Sequence, residues 1–241
     1  MTHQGDTLVA TTLARTARAF AAQGTSVEAG VAFERALYND LLDAGNWRHN
    51  SGPDELDMGG LLQSRTGIRY EFDCVLLSPD TLYVVEAKRH AQVTRQHVSE
   101  FIAKLLDVML GSADQIGAYA IKPVFVSGLP HIDATAWSYA VSWGVLLIAP
   151  SRPTPWELLG SLNAVHSKTE TPHQLTTDCE VACEQLWRPF NTIITLTDNQ
   201  KARFELSANA IYTAQRAADI LEFWHECQRA VVALTDTQRA L

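Results

Sequence analysis

The sequence predicts an α/β fold, a mixed central sheet flanked by helices, with a mainly helical C-terminal extension. Three observations carry this reading. Two β-rich apolar runs joined by "SPDT" read as a hairpin, and the later runs "KPVFVSG" and "GVLLIAP" read as short buried strands. Each of those later runs follows a stretch with helical periodicity, the pattern of helices packed on a sheet.

Over residues 6–22 the apolar positions Leu8, Val9, Leu13, Ala17 and Phe20 recur at helical spacing, and a second helix is expected over 27–44, stopping at Gly45. "NWRHNSGPDELDMGG" is dense in turn formers and reads as a loop or mobile flap. Strands are expected over 66–77 and 82–88. A helix follows over 93–109, with Val98, Phe101, Ile102, Leu105 and Leu106 on one face. "DATAWSYAVSW" is a helix between the two buried strands. Beyond Pro150 the expected elements are helices over 155–163 and 178–187, a hairpin turning at Asp198 and Asn199, and a long final helix over 207–234. The organisation expected is an N-terminal helix (1–26), a core (27–150) and a C-terminal extension (151–241) serving as a subdomain or interaction surface, with no internal repeat.

The chain of 241 residues is 46% hydrophobic and 19% charged, the balance of an ordinary globular protein. No window approaches the roughly 18 uncharged apolar residues of a spanning helix, and the N-terminal stretch has no basic segment leading into an apolar one. Cys74, Cys179, Cys183 and Cys227 form no disulfide framework. A cytoplasmic protein without a membrane partner is therefore expected. The net charge of -8 argues against indiscriminate coating of nucleic acid, which needs many cationic contacts to phosphates. It leaves nucleic acid open as a substrate, because bound metal ions can offset an enzyme's own carboxylates.

If "SPDT" closes a four-residue loop, Leu77 pairs with Leu82, and counting back sets Asp73 opposite Glu86. Facing residues on antiparallel strands hold their Cβ atoms about 4.5–5.5 Å apart, so these carboxylates repel. Alternation puts Lys88 on the same face. The arrangement is tolerable if the lysine pairs with one acid, if one acid is protonated, or if a hard divalent cation bridges both. Mg²⁺ suits the last case, since it takes one or two protein carboxylates and leaves its other positions to water and substrate phosphate. Lys88 would then hold or activate the attacking water.

Asp73, twelve intervening residues and then Glu86-Ala87-Lys88 resembles the PD-(D/E)xK motif of the restriction-endonuclease-like nuclease superfamily, and the flanking order of elements over 27–150 resembles its core. Mrr-type restriction nucleases, NERD-type domains and the effector nuclease domains of some CRISPR-associated proteins are the relatives suggested. The resemblance implies a restriction-endonuclease-like core, with Asp73, Glu86 and the carbonyl of Ala87 as ligands of Mg²⁺ or Mn²⁺ and Lys88 as the catalytic lysine. It also implies that Glu34, on the first core helix, stands at the outer edge of the site or at a second metal. Phe72 replaces the proline that often precedes the aspartate. The glutamine and tyrosine of RecB-like members are absent, Gln96 being followed by Glu100.

Other residues carry weaker signals. Glu34 also reads as a solvated helix residue, and Arg89, His90, Arg95 and His97 read either as phosphate contacts or as plain surface. His173, Cys179, Cys183, His225 and Cys227 lack the tight pairs of a zinc site, so core cysteines are expected. Trp137 and Trp143 read largely as packing. No GxGxxG, GxxxxGK[ST] or GxSxG occurs, so dinucleotide binding, a P-loop and an α/β-hydrolase lose their main sequence support.

The function expected is a Mg²⁺- or Mn²⁺-dependent endonuclease acting on DNA ahead of RNA, in defence, mobile-element function or repair. The resemblance implies products with a 5′-phosphate and a 3′-hydroxyl. With no helix-turn-helix or zinc finger in the sequence, specificity falls to a partner subunit or to a homodimer. The competing reading is a catalytically silent nuclease-fold protein acting as a binding or assembly subunit.

Overall fold

The computed structural model describes residues 3–22, 26–55, 63–89, 92–116, 118–166 and 173–191. In chain order the elements are α1 (His3–Phe20), α2 (Val27–Ala44), β1 (His49–Ser51), β2 (Cys74–Leu77), β3 (Thr81–Lys88), α3 (Arg95–Gly111), α4 (Ala113–Ile116), β4 (Ala120–Ser127), α5 (Ala134–Ser142), β5 (Leu146–Ile148), α6 (Pro155–His166) and α7 (His173–Gln185). The hairpin and final helix expected beyond residue 191 lie outside the described residues.

The five strands form one mixed sheet in sequence order. β1, β2 and β3 run antiparallel, with His49 opposite Leu77 and Cys74 opposite Val85, whereas β3, β4 and β5 run parallel, with Val85 beside Val124 and Val124 beside Leu146. The hairpin closes as its sequence directs: Ser78 N donates to Thr81 O at 2.8 Å, and Thr81 N donates to Ser78 Oγ at 3.1 Å. The later crossovers step in one direction, which lands α3 and α5 on the same face of the sheet.

Local chemistry sets the helix boundaries. The Ser26 hydroxyl accepts from Ala29 N at 3.2 Å to start α2, and the Asp133 carboxylate accepts from Thr135 N at 2.8 Å and Ala136 N at 3.2 Å to start α5. Gly144, at φ +67°, turns the chain from α5 into β5 in the left-handed region, and a Cβ there would lie 3.0 Å from Leu186 O.

Two cores sandwich the sheet. One gathers Leu13, Phe33, Leu37, Leu76, Val85, Trp156 and Trp187 from α1, α2, α6 and the α7 region; the other gathers Val75, Val84, Phe101, Leu105, Phe125 and Leu147 beneath α3 and α5. Successive residues of β2 and β3 serve opposite cores, the period-two alternation of a strand buried on both sides. α1 is tied into this arrangement by buried charge. Lys122 Nζ on β4 lies 2.5 and 2.7 Å from the two carboxylate oxygens of Asp6, Tyr83 OH donates to Asp6 at 2.7 Å, and the ammonium sits 4.8 Å from the Trp187 ring centroid.

Two expectations need correcting. The presumed loop after α2 contains β1, a three-residue edge strand laid against β2. The strand expected over 66–77 shrinks to Cys74–Leu77, because the chain before it is drawn to α3 instead: Arg65 N donates to Asp107 O at 3.1 Å and Thr66 N to Asp107 Oδ1 at 3.1 Å.

Candidate metal centre

The β2–β3 register brings the two acids together. Asp73 lies in the bend one residue outside the ladder, and since Cys74 pairs with Val85 the next position sets Asp73 beside Glu86. Val75 and Leu77 on β2, like Leu82 and Val84 on β3, serve the core under α3, so Asp73, Glu86 and Lys88 share that face by alternation. The Asp73 carboxylate accepts from the backbone N–H of Ala87 at 2.6 Å. Glu86 Oε1 accepts from Lys104 Nζ at 2.9 Å, with the Glu86 and Lys104 side chains 21% and 31% exposed, so a ligand can reach the pair.

The electrostatics are those of crowded carboxylates. Burial pushes the Asp73 carboxyl well above its ordinary range, and repulsion from Glu86 and then Glu34 adds to this against the Ala87 amide and Lys104. Glu86 is raised by burial first, against the pull of Lys104 and Lys88. Glu34, on α2, is raised by burial and then by Glu71, Glu86 and Asp54, with Lys88 opposing. Three raised acids therefore face one another electrostatically, with Lys88 acting on Glu34 and Glu86. Lys88 is half-buried and makes no ion pair among the described residues.

Asp73, Glu86 and Glu34 are hard oxygen donors of the kind Mg²⁺ and Mn²⁺ prefer. Among the described residues, no three His, Cys, Asp or Glu side chains converge closely enough to hold a metal ion as they stand. Glu86 is turned toward Lys104. Ala87, whose carbonyl the resemblance implies as a ligand, is buried in β3 with its N–H given to Asp73.

The basic residues beyond the motif divide. Arg89 is 1% exposed, against the expectation of a phosphate contact: its Nη2 donates to Phe20 O at 2.7 Å and its guanidinium lies over the Phe20 ring, so it joins α1 to the end of β3. His97 supports the start of α3, its Nδ1 accepting from Thr94 N at 3.2 Å. Arg95 is exposed over the Tyr139 ring at 4.7 Å, and Arg152 lies over Trp137 at 4.5 Å. His90 lies outside the described residues.

Trp137 and Trp143 pack, half-buried, against the α3 side of the core. Cys74 and Cys183 are buried, as expected of core cysteines, and burial pushes the Cys74 thiol up. Cys227, His225 and the side chains of His173 and Cys179 lie outside the described residues.

Lys104 is the residue that reasoning from the sequence missed. It stands four residues after Glu100, which itself accepts from Gln96 Nε2 at 2.8 Å, so Gln96, Glu100 and Lys104 follow one another at one-turn spacing along α3. In sequence that spacing reads as a solvated stripe.

No family model matches the chain, and no curated protein matches it. Among solved structures, the crystal structure of a protein of unknown function, AF1548, is similar over 76% of this chain and 89% of that one, at 14% identity and a TM-score of 0.35, a likeness too slight to carry an argument about family or activity.

Proposed function

We propose that the protein is a divalent-metal-dependent nuclease with a restriction-endonuclease-like core, hydrolysing phosphodiester bonds in DNA ahead of RNA. The observation that carries the reading is the placing of Asp73 beside Glu86, one residue beyond the β2–β3 ladder, with Lys88 two residues on along the same face. Carboxylates raised by burial, Asp73 further by Glu86, are a site short of positive charge. The β2–β3 hairpin leading through α3 into parallel β4 is the order of elements that the motif's superfamily implies.

Asp73 and Glu86 would hold the metal, with the Ala87 carbonyl as a further ligand and Glu34 at the outer edge. A bound Mg²⁺ or Mn²⁺ supplies Lewis-acid polarisation of the scissile phosphate. Lys88 would position the attacking water, and its ammonium would face the charge that develops on the phosphate. Arg95 and Arg152, exposed cations stacked on rings, are suited to phosphate contacts that position a strand without reading its sequence.

The Lys104–Glu86 ion pair favours the second reading, a catalytically silent binding or assembly subunit, if that lysine holds Glu86 permanently. Thermal melting with Mn²⁺ separates the two. A working site raises the melting temperature of the wild-type chain by mass action, and Glu86→Ala removes the rise. An unchanged melting temperature in saturating Mn²⁺ would leave the silent subunit as the better account.

A further inference from the structure

Of the charged groups around the site, Lys104 makes the most direct contact with an acid of the motif. It is carried by α3, the crossover helix between β3 and β4, and its Nζ lies 2.9 Å from Glu86 Oε1. Behind it stands Phe72, with the ammonium 6.0 Å from the ring centroid, so an aromatic face supports the cation. Its charge acts on Asp73 as well as on Glu86. Lys88 makes no comparable ion pair among the described residues. The two lysines are therefore placed differently among the described residues: Lys104 is bonded to a carboxylate, whereas Lys88 acts on Glu34 and Glu86 through its charge.

Resting on the reading of this site as a metal centre, we propose that Lys104 is a built-in counter-cation that competes with the divalent metal for Glu86, so that its release from Oε1 accompanies metal binding and sets the affinity of the site. The argument is one of charge and reach. Neighbouring half-buried carboxylates need positive charge whether or not a metal is bound, and Lys104 supplies it in the metal-free protein. A divalent cation that takes Glu86 meets the ammonium within a few ångströms, where like charges repel strongly. Lysine can yield without movement of the helix, because its four-carbon stem is flexible and its head seeks water. With its side chain 31% exposed, Lys104 has solvent to move into. The same contact keeps Glu86 turned away from a closed ligand group, consistent with the lack of three convergent metal-binding side chains among the described residues.

The test is calorimetric titration of Mn²⁺ into the full chain, paired with thermal melting, for wild type, Lys104→Gln, Lys104→Arg and Glu86→Gln. Lys104→Gln keeps a hydrogen-bond donor but loses the charge. It should melt lower without metal, bind Mn²⁺ on the order of tenfold more tightly than wild type, and gain more from it in melting temperature. Lys104→Arg keeps the charge and should bind as wild type does, whereas Glu86→Gln should lose the response. If Lys104→Gln does not fold, Lys104→Met carries the same expectation. A lysine that instead orients Glu86 for the metal would make both uncharged variants bind Mn²⁺ more weakly. Equal or weaker binding by them, with wild type still binding, overturns this proposal and leaves the metal centre standing. Absence of Mn²⁺ binding in wild type and in every variant overturns both.

Discussion

At Asp73, Glu86 and Glu34 the fold holds three carboxyls above their ordinary range, each chiefly through burial. A carboxyl whose folded pKa exceeds its unfolded value, about 4, binds its proton more readily in the folded state. Stability therefore falls as pH rises from that unfolded value through the raised one, and the full loss stands above it. Asp73→Asn removes one of these charges while keeping an oxygen for the Ala87 N–H. Metal-free Asp73→Asn should melt higher than wild type at neutral pH, with the gap closing on acidification; each 1 kcal/mol moves the midpoint of a chain this size by roughly 2–4 °C. A variant melting lower than wild type at neutral pH would show that the carboxylate is already compensated. The facing of Asp73 and Glu86 was legible because a four-residue loop and a period-two pattern leave little freedom in register. Lys104 was not legible, because its contact with Glu86 crosses from a helix to a strand and no local spacing encodes it.

The segment from Arg89 to His97 shows how neighbouring basic residues are sorted by the elements they join. Arg89→Ala would empty a large buried volume and strip the Phe20 carbonyl of its donor, which should destabilise the chain by about 2–4 kcal/mol in denaturant unfolding. Arg95→Ala, at an exposed position, should change stability by less than about 0.5 kcal/mol. It should weaken DNA binding across sequences and flatten the salt dependence, read by anisotropy in EDTA. Reversed outcomes would exchange the two roles. Helix α2 and strands β3 and β4 could be read closely from sequence, since long apolar runs and clean periodicity agree there. β1 could not, for three residues at a sheet edge among turn formers carry no periodic signal. Nor could the fate of the 66–73 stretch, whose β-like composition is overridden by hydrogen bonds to Asp107.

Across the whole molecule, α1 and the first residues after Pro150 share the core beneath α2, and the Asp6–Lys122–Tyr83 cluster ties α1 to the middle of the sheet. Asp6→Ala strands a buried ammonium and should cost about 3–5 kcal/mol, whereas Asp6→Leu combined with Lys122→Met should cost much less. Equal losses would mean that packing, not charge, holds the helix. The sequence showed α1 as an amphipathic helix but not its partner, because Asp6 and Lys122 are separated by most of the core and meet only once the sheet is formed. This scaffold sets the neighbouring acids and Lys88 at one end of a buried strand, where the proposed function has them cut nucleic acid. The most direct measurement incubates purified wild-type and Lys88→Ala chains with plasmid, linear duplex, single-stranded DNA and RNA in Mg²⁺, Mn²⁺ or EDTA. The expected result is metal-dependent cleavage by wild type, favouring DNA, abolished in EDTA and in the variant. Cleavage that persists in Lys88→Ala, or that ignores EDTA, would contradict it.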